Sequence, residues 1–205
     1  MSPVPAAGPY SMETMQQALA AATAETARVV AAIRDDQLDA ATPCADTPVA
    51  GLLDHLDGLT LAFRLAAEKQ DGGSASASPD ALTPDWRTRI PERLAALAAA
   101  WRDPAAWEGD AEAGGVTMPA QAMAAVAVDE VLVHGWDLAV AAGSPYRADP
   151  GATEVATGFV FAATGDGPPV PGLFGPAVDV PAEAPAFDRL LGRTGRDPGW
   201  RPPAG

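Results

Sequence analysis

Cysteine is almost missing from this chain: Cys44 is the only one in 205 residues. No intramolecular disulfide can form, which excludes a small fold stapled by disulfides. Positive charge is also scarce. Lys69 is the only lysine among 13 basic residues, against 27 acidic ones, for a net charge of −14. Such a surface repels phosphate backbones, and the arginines form no clustered stripe, so nucleic-acid binding is not expected. Anionic membranes are disfavoured for the same reason. No apolar run approaches the roughly 18 residues of a membrane span. Residues 1–10 lack the charged and apolar regions of a secretory signal. These absences lead to the expectation of a cytoplasmic protein, monomer or homodimer, that acts on small molecules.

What the chain does have is 48% hydrophobic content, led by alanine. That predicts close-packed helices able to bury a full core. Ser11 reads as an N-cap, and Met15, Leu19, Ala22, Val29 and Ile33 recur at helical spacing up to about Ile33. Further helices are predicted from about Pro48 to Gln70, Pro84 to Trp101, Pro119 to about Gly143, and Pro150 to about Thr164. The Gly- and Ser-rich residues 71–79 read as a surface loop. Residues 103–115 read as irregular, with a brief extended segment at Val116 to Met118. The expected fold is all-α: a four-helix bundle with an extra helix and an irregular Pro/Gly-rich C-terminal tail. The expected division is a disordered stretch at 1–10, a bundle at 11–165, and a tail at 166–205 packed on the bundle.

There are only two histidines, His55 and His134. Side chains four apart on a helix share a face, about 5–6 Å apart at Cβ. Glu130 and His134 can therefore share one ion, and His55, on another apolar helix, is the only other imidazole. Glu130 stands out because apolar residues surround it on both sides, from Ala124 to Val128 and from Val131 to Val133. A buried carboxylate there needs a compensating charge. Two histidines and one carboxylate leave open positions on a metal, the pattern of a catalytic site. The plainer alternatives are an ordinary surface pair for Glu130 and His134 and a satisfied core histidine for His55.

Thr42-Pro43-Cys44 followed by Val49, Leu52-Leu53 and His55, with Glu130 and the string His134-Gly135-Trp136-Asp137-Leu138-Ala139, resembles the DinB/YfiT-like metalloprotein superfamily. Within it the likeness is to the actinobacterial group related to the N-terminal domain of mycothiol-dependent maleylpyruvate isomerase. Phe174-Gly175-Pro176 and the stretch Asp188 to Pro198 resemble that group's C-terminal signature. The resemblance implies a DinB-like four-helix bundle and a divalent metal held by His55, Glu130 and His134. That metal would be zinc first, with nickel, cobalt or iron as the other candidates. It further implies a low-molecular-weight thiol, mycothiol, as cosubstrate in a transferase or isomerase reaction on a small electrophile. Two departures stand out. Members usually carry a Trp between the Thr-Pro-Cys and the ligand histidine, where this chain has Thr47-Pro48. The isomerase also has an α/β domain beyond its bundle, so the bundle and metal transfer more readily than the reaction.

Around the expected site, Asp137 reads either as the carboxylate that orients a histidine ligand or as a helix-packing partner of an arginine. Trp136 and Cys44 read as packing residues outside the ligand set, and Asp54 and Asp57 as solvent-facing. A metal-dependent hydrolase, and a non-enzymatic metal- or ligand-binding stress protein, are the alternative functions.

Overall fold

The computed structural model describes residues 10–70, 78–165 and 174–203. The expectations for 1–9 and for most of the 71–79 loop concern residues outside that set. Helix α1 spans Met12–Ala32. Ser11 caps it, its Oγ accepting from the Thr14 amide at 3.1 Å, which satisfies one of the unpaired amides of the first turn. Helix α2 runs Val49–Ala67, with Pro48 as its cap residue. Helix α3 runs Trp86–Ala100, helix α4 Ala120–Ala141, and helix α5 Pro150–Thr164. Asp149 caps α5 from its side chain, and Pro150 takes the first helical position, where its missing N–H costs nothing.

Helix α4 is the centre of the fold. It packs against α1, α2 and α5, while α3 closes the far side against α1 and α2. Its residues from Val131 to Ala139 are all buried, as expected of a helix apolar on every side. Helix α1 approaches it closely at Gly135, where Thr26 Oγ1 donates to the Val131 carbonyl at 3.0 Å. A Cβ at Gly135 would overlap Thr26 Oγ1, so the glycine sets the interhelical distance.

The fold is not strictly all-α. Between α3 and α4 lies an antiparallel hairpin, β1 Asp110–Ala113 with β2 Val116–Pro119, paired from Asp110 with Pro119 to Ala113 with Val116. Gly114 and Gly115, both at positive φ, make its two-residue turn. Such a Gly-Gly pair between strands is a hairpin signal. β2 coincides with the extended segment expected at Val116 to Met118, whereas β1 lies inside the stretch whose sequence reads as irregular.

The tail is ordered around helix α6, Ala186–Arg193. It packs on α5, and Leu191 joins Val133 and Trp136 of α4 in a small apolar cluster. Asp57 also differs from expectation. It is buried rather than solvent-facing, because Arg89 and Arg93 of α3 reach its carboxylate at 3.1 and 2.9 Å.

Candidate metal centre

Helices α2 and α4 bring His55, Glu130 and His134 together. One candidate ligand atom from each lies within 4.8 Å of the others. Glu130 Oε2 is 3.0 Å from His134 Nε2 and 3.9 Å from His55 Nε2. The imidazole rings meet edge to face, with centroids 5.2 Å apart at 87°. The one-turn spacing on α4 aligns Glu130 with His134, and the packing of α2 on α4 delivers His55.

Behind the trio, His134 Nδ1 lies 3.0 Å from Asp137 Oδ2, so this ring nitrogen carries the proton and Nε2 is turned toward Glu130. Asp137 is fully buried and accepts at the same oxygen from Arg196 Nη2, 3.2 Å away. Asp137 thus contacts the histidine and an arginine at once, and that arginine lies in the tail beyond α6. Arg196 lies in the tail and was absent from the sequence-based site. Its partner lies 59 residues away, and no local spacing links them.

The electrostatics favour positive charge at His134. Burial works against its protonation, but the carboxylates of Asp137 and Glu130 outweigh that and raise it to about 10. Burial likewise opposes ionisation of Glu130, yet the two histidines hold its carboxyl well below the usual range. Asp129, next along α4, goes the other way. Burial first, and then the charge of Glu130, push its carboxyl well above the ordinary value.

These groups border a cavity of about 430 Å³. Leu52 and Val133 supply apolar wall from the bundle, and the tail adds Phe174, Gly175, Thr194 and Arg196. Cys44 is on the wall as well. Thr42 Oγ1 donates to the Thr47 carbonyl at 2.8 Å and accepts from the Cys44 amide at 3.1 Å, which fixes the turn that carries it there. Cys44, His134 and Asp137 form a second cluster of ligand-type atoms. Arg196 already faces Asp137, and a guanidinium there disfavours a cation.

The trio fits a divalent metal on its donor chemistry. Two imidazoles and a carboxylate suit zinc, nickel, cobalt or iron. Three protein donors leave coordination open for a ligand, and the acceptor behind His134 is the usual companion of a ligating histidine. Among the described residues, no helix is long and apolar enough to cross a membrane.

Comparison with known proteins gives concordant results. The family described as mycothiol maleylpyruvate isomerase N-terminal domain matches residues 19–139. The uncharacterized protein Rv0738 of Mycobacterium tuberculosis is 30% identical over 186 residues, covering 83% of this chain and 92% of its own length. The uncharacterized protein MT0763, from another strain of that organism, gives the same figures. The crystal structure of the mycothiol-dependent maleylpyruvate isomerase aligns with a TM-score of 0.59 at 16% identity, over 74% of this chain and 70% of that one. A mutant of that isomerase aligns over the same shares with a TM-score of 0.58 at 17% identity. At such identity these structures show a shared fold.

Proposed function

The chain belongs to the mycothiol maleylpyruvate isomerase N-terminal domain family, and from that premise we propose that it is a divalent-metal enzyme using mycothiol or a similar low-molecular-weight thiol. The reaction is a transfer or isomerisation on a small electrophilic substrate. His55, Glu130 and His134 are the proposed ligands, and zinc is the first choice of metal. In this reading the metal-binding bundle is 11–165 and the tail is 166–205, whose described residues, 174–203, complete the cavity.

The observation that carries the reading is the convergence of those three donors within 4.8 Å beside a cavity of about 430 Å³. His134 and the rest of Val131 to Ala139 are buried, which argues against an ordinary surface pair. His55 is partly exposed and lines the cavity, which argues against a satisfied core histidine.

A bound divalent metal supplies Lewis acidity, lowering the pKa of a thiol or water that reaches it. The protein's own groups do the rest. Asp137 accepts the Nδ1–H of His134. Nε2, whose proton faces Glu130 in the metal-free protein, is the nitrogen that a metal would take once that proton is displaced. Arg196 compensates the charge of Asp137 in an interior that would otherwise penalise it. Glu130 supplies one negative charge at the centre. Leu52, Val133 and Phe174 exclude water from part of the wall, which strengthens every electrostatic interaction inside.

The test is metal content by mass spectrometry of the purified protein and of His134→Ala, followed by conjugation assays with thiol and electrophile. Stoichiometric metal in the wild type, its loss in the variant, and turnover that requires both metal and thiol are expected. Metal retained by His134→Ala overturns the ligand assignment. Turnover that proceeds without thiol replaces the transferase reading with a metal-dependent hydrolase.

A further inference from the structure

The cavity wall is short of positive charge. Arg196 is the only arginine or lysine that lines it among the described residues. Residues 1–9, 71–77, 166–173 and 204–205 contain no arginine, lysine or histidine at all. That one guanidinium is already committed. Its Nη1 donates to the Thr194 carbonyl at 2.7 Å and its Nη2 to the Asp137 carboxylate at 3.2 Å, and Asp137 is fully buried. An anion entering the cavity meets the two charges as a neutral pair.

The metal centre leaves no surplus either. Two neutral imidazoles add nothing to the charge of a divalent ion, and Glu130 together with a bound thiolate cancels it. Asp129, also on the wall, supplies no positive charge whether ionised or neutral, so its state does not alter this conclusion. The net charge of −14 on the whole chain gives no field that would draw an anion in. A carboxylate or phosphate on the substrate would therefore give up its water for a site without a counter-charge, which is costly.

What the wall does offer is apolar surface. Leu52 of α2, Val133 of α4 and Phe174 of the tail all line it. Phe174 is braced by Phe159 of α5, the rings edge to face with centroids 6.2 Å apart. A ring held in this way is a fixed apolar face, and the cavity volume of about 430 Å³ falls within the range of small-molecule sites.

We propose that the electrophilic substrate is uncharged with an apolar body, and that the cavity rejects carboxylate- and phosphate-bearing molecules of the same size. This substrate class rests on the reading above of a metal centre that binds a thiol, and the experiment separates the two.

The zinc-loaded full chain is titrated by calorimetry with N-acetylcysteamine. With that thiol saturating, it is then titrated with 3-phenylpropionamide or 3-phenylpropionate. The two probes have the same shape and differ by one charge. Neither has a leaving group or an activated double bond, so binding is read without turnover. The wild type is expected to bind the amide at least about tenfold more tightly, because the carboxylate finds no counter-charge. Thr47 lies half-buried on the wall just before α2. Thr47→Lys adds a cation there and is expected to narrow the gap by about threefold, the scale of a partly exposed ion pair. Equal or tighter binding of the carboxylate by the wild type overturns the substrate class and leaves the thiol reading standing. So does an unchanged gap in a folded Thr47→Lys, or the absence of saturable heat from both probes while the thiol still binds. No heat from N-acetylcysteamine itself overturns the thiol reading and the substrate class with it. The wild-type comparison decides the matter alone if the variant fails to fold.

Discussion

Arg196 and Asp137 are joined by a hydrogen bond of 3.2 Å from Nη2 to Oδ2, and that same oxygen faces Nδ1 of His134 at 3.0 Å. The tail thus reaches the innermost candidate ligand through one buried carboxylate.

If the carboxylate orients His134, loosening it should weaken metal binding without removing a ligand. Arg196→Gln and Asp137→Asn are expected to lower metal affinity by about 10–100-fold, the usual cost of losing an outer partner of a ligating histidine. Competition against a chromogenic chelator measures it. Far-UV circular dichroism should show the helices intact. Unchanged affinity in both variants would make the Arg196–Asp137 pair a packing feature only.

The metal-free protein should carry a pH signature of His134. Its folded value, about 10, lies above the ordinary 6.5, so folding favours the protonated ring. That stabilisation is complete below about pH 6.5, fades as the pH rises, and is gone above about pH 10. The melting temperature of chelator-treated protein is expected to fall across this window. The slope should flatten in Glu130→Gln, which removes one of the two carboxylates responsible. A chelator-treated wild type whose melting temperature is flat from pH 6.5 to 10 would contradict it.

Gly135→Ala tests the close approach of α1 and α4. Alanine is the better helix former by about 1 kcal/mol, so helix propensity alone predicts stabilisation. The added Cβ would overlap Thr26 Oγ1 and stand 2.9 Å from the Tyr146 hydroxyl, two groups engaged with the Val131 and Leu132 carbonyls. Overpacking typically costs about 1–3 kcal/mol, and a net loss on the order of 1–2 kcal/mol is expected in urea denaturation. A gain in stability would mean that the helices can separate freely at this point.

The residues differ in how far their roles could be read from the chain. The pairing of Glu130 with His134 was legible because helical periodicity is a local rule, and four residues make one turn wherever the helix lies. Caps were legible for the same reason: Ser11 and Asp149 act on amides within three residues. Likewise, a helix apolar on every side announces its own burial, and that made Glu130 conspicuous. Of the hairpin, the second strand was legible as the extended segment Val116 to Met118, but four residues at Asp110–Ala113 show too little alternation to rival the irregular reading, although Gly114-Gly115 was a usable sign. Asp57 was read as exposed because its arginine partners lie on another helix.

Sequence alone therefore determined the helices, the pairing on α4, and through motif resemblance the family. Tertiary structure decided what surrounds that pair. His55 comes to within 3.9 Å of Glu130 only because α2 packs on α4, and Arg196 meets Asp137 only because α6 turns the tail back over the bundle. It also put Asp129 and Arg196 on the wall of one cavity. The physical reason is range: backbone hydrogen bonding repeats every few residues and leaves its mark in local spacing. The burial that draws distant segments together depends on the combined shape of several apolar faces, and no single stretch of chain records that.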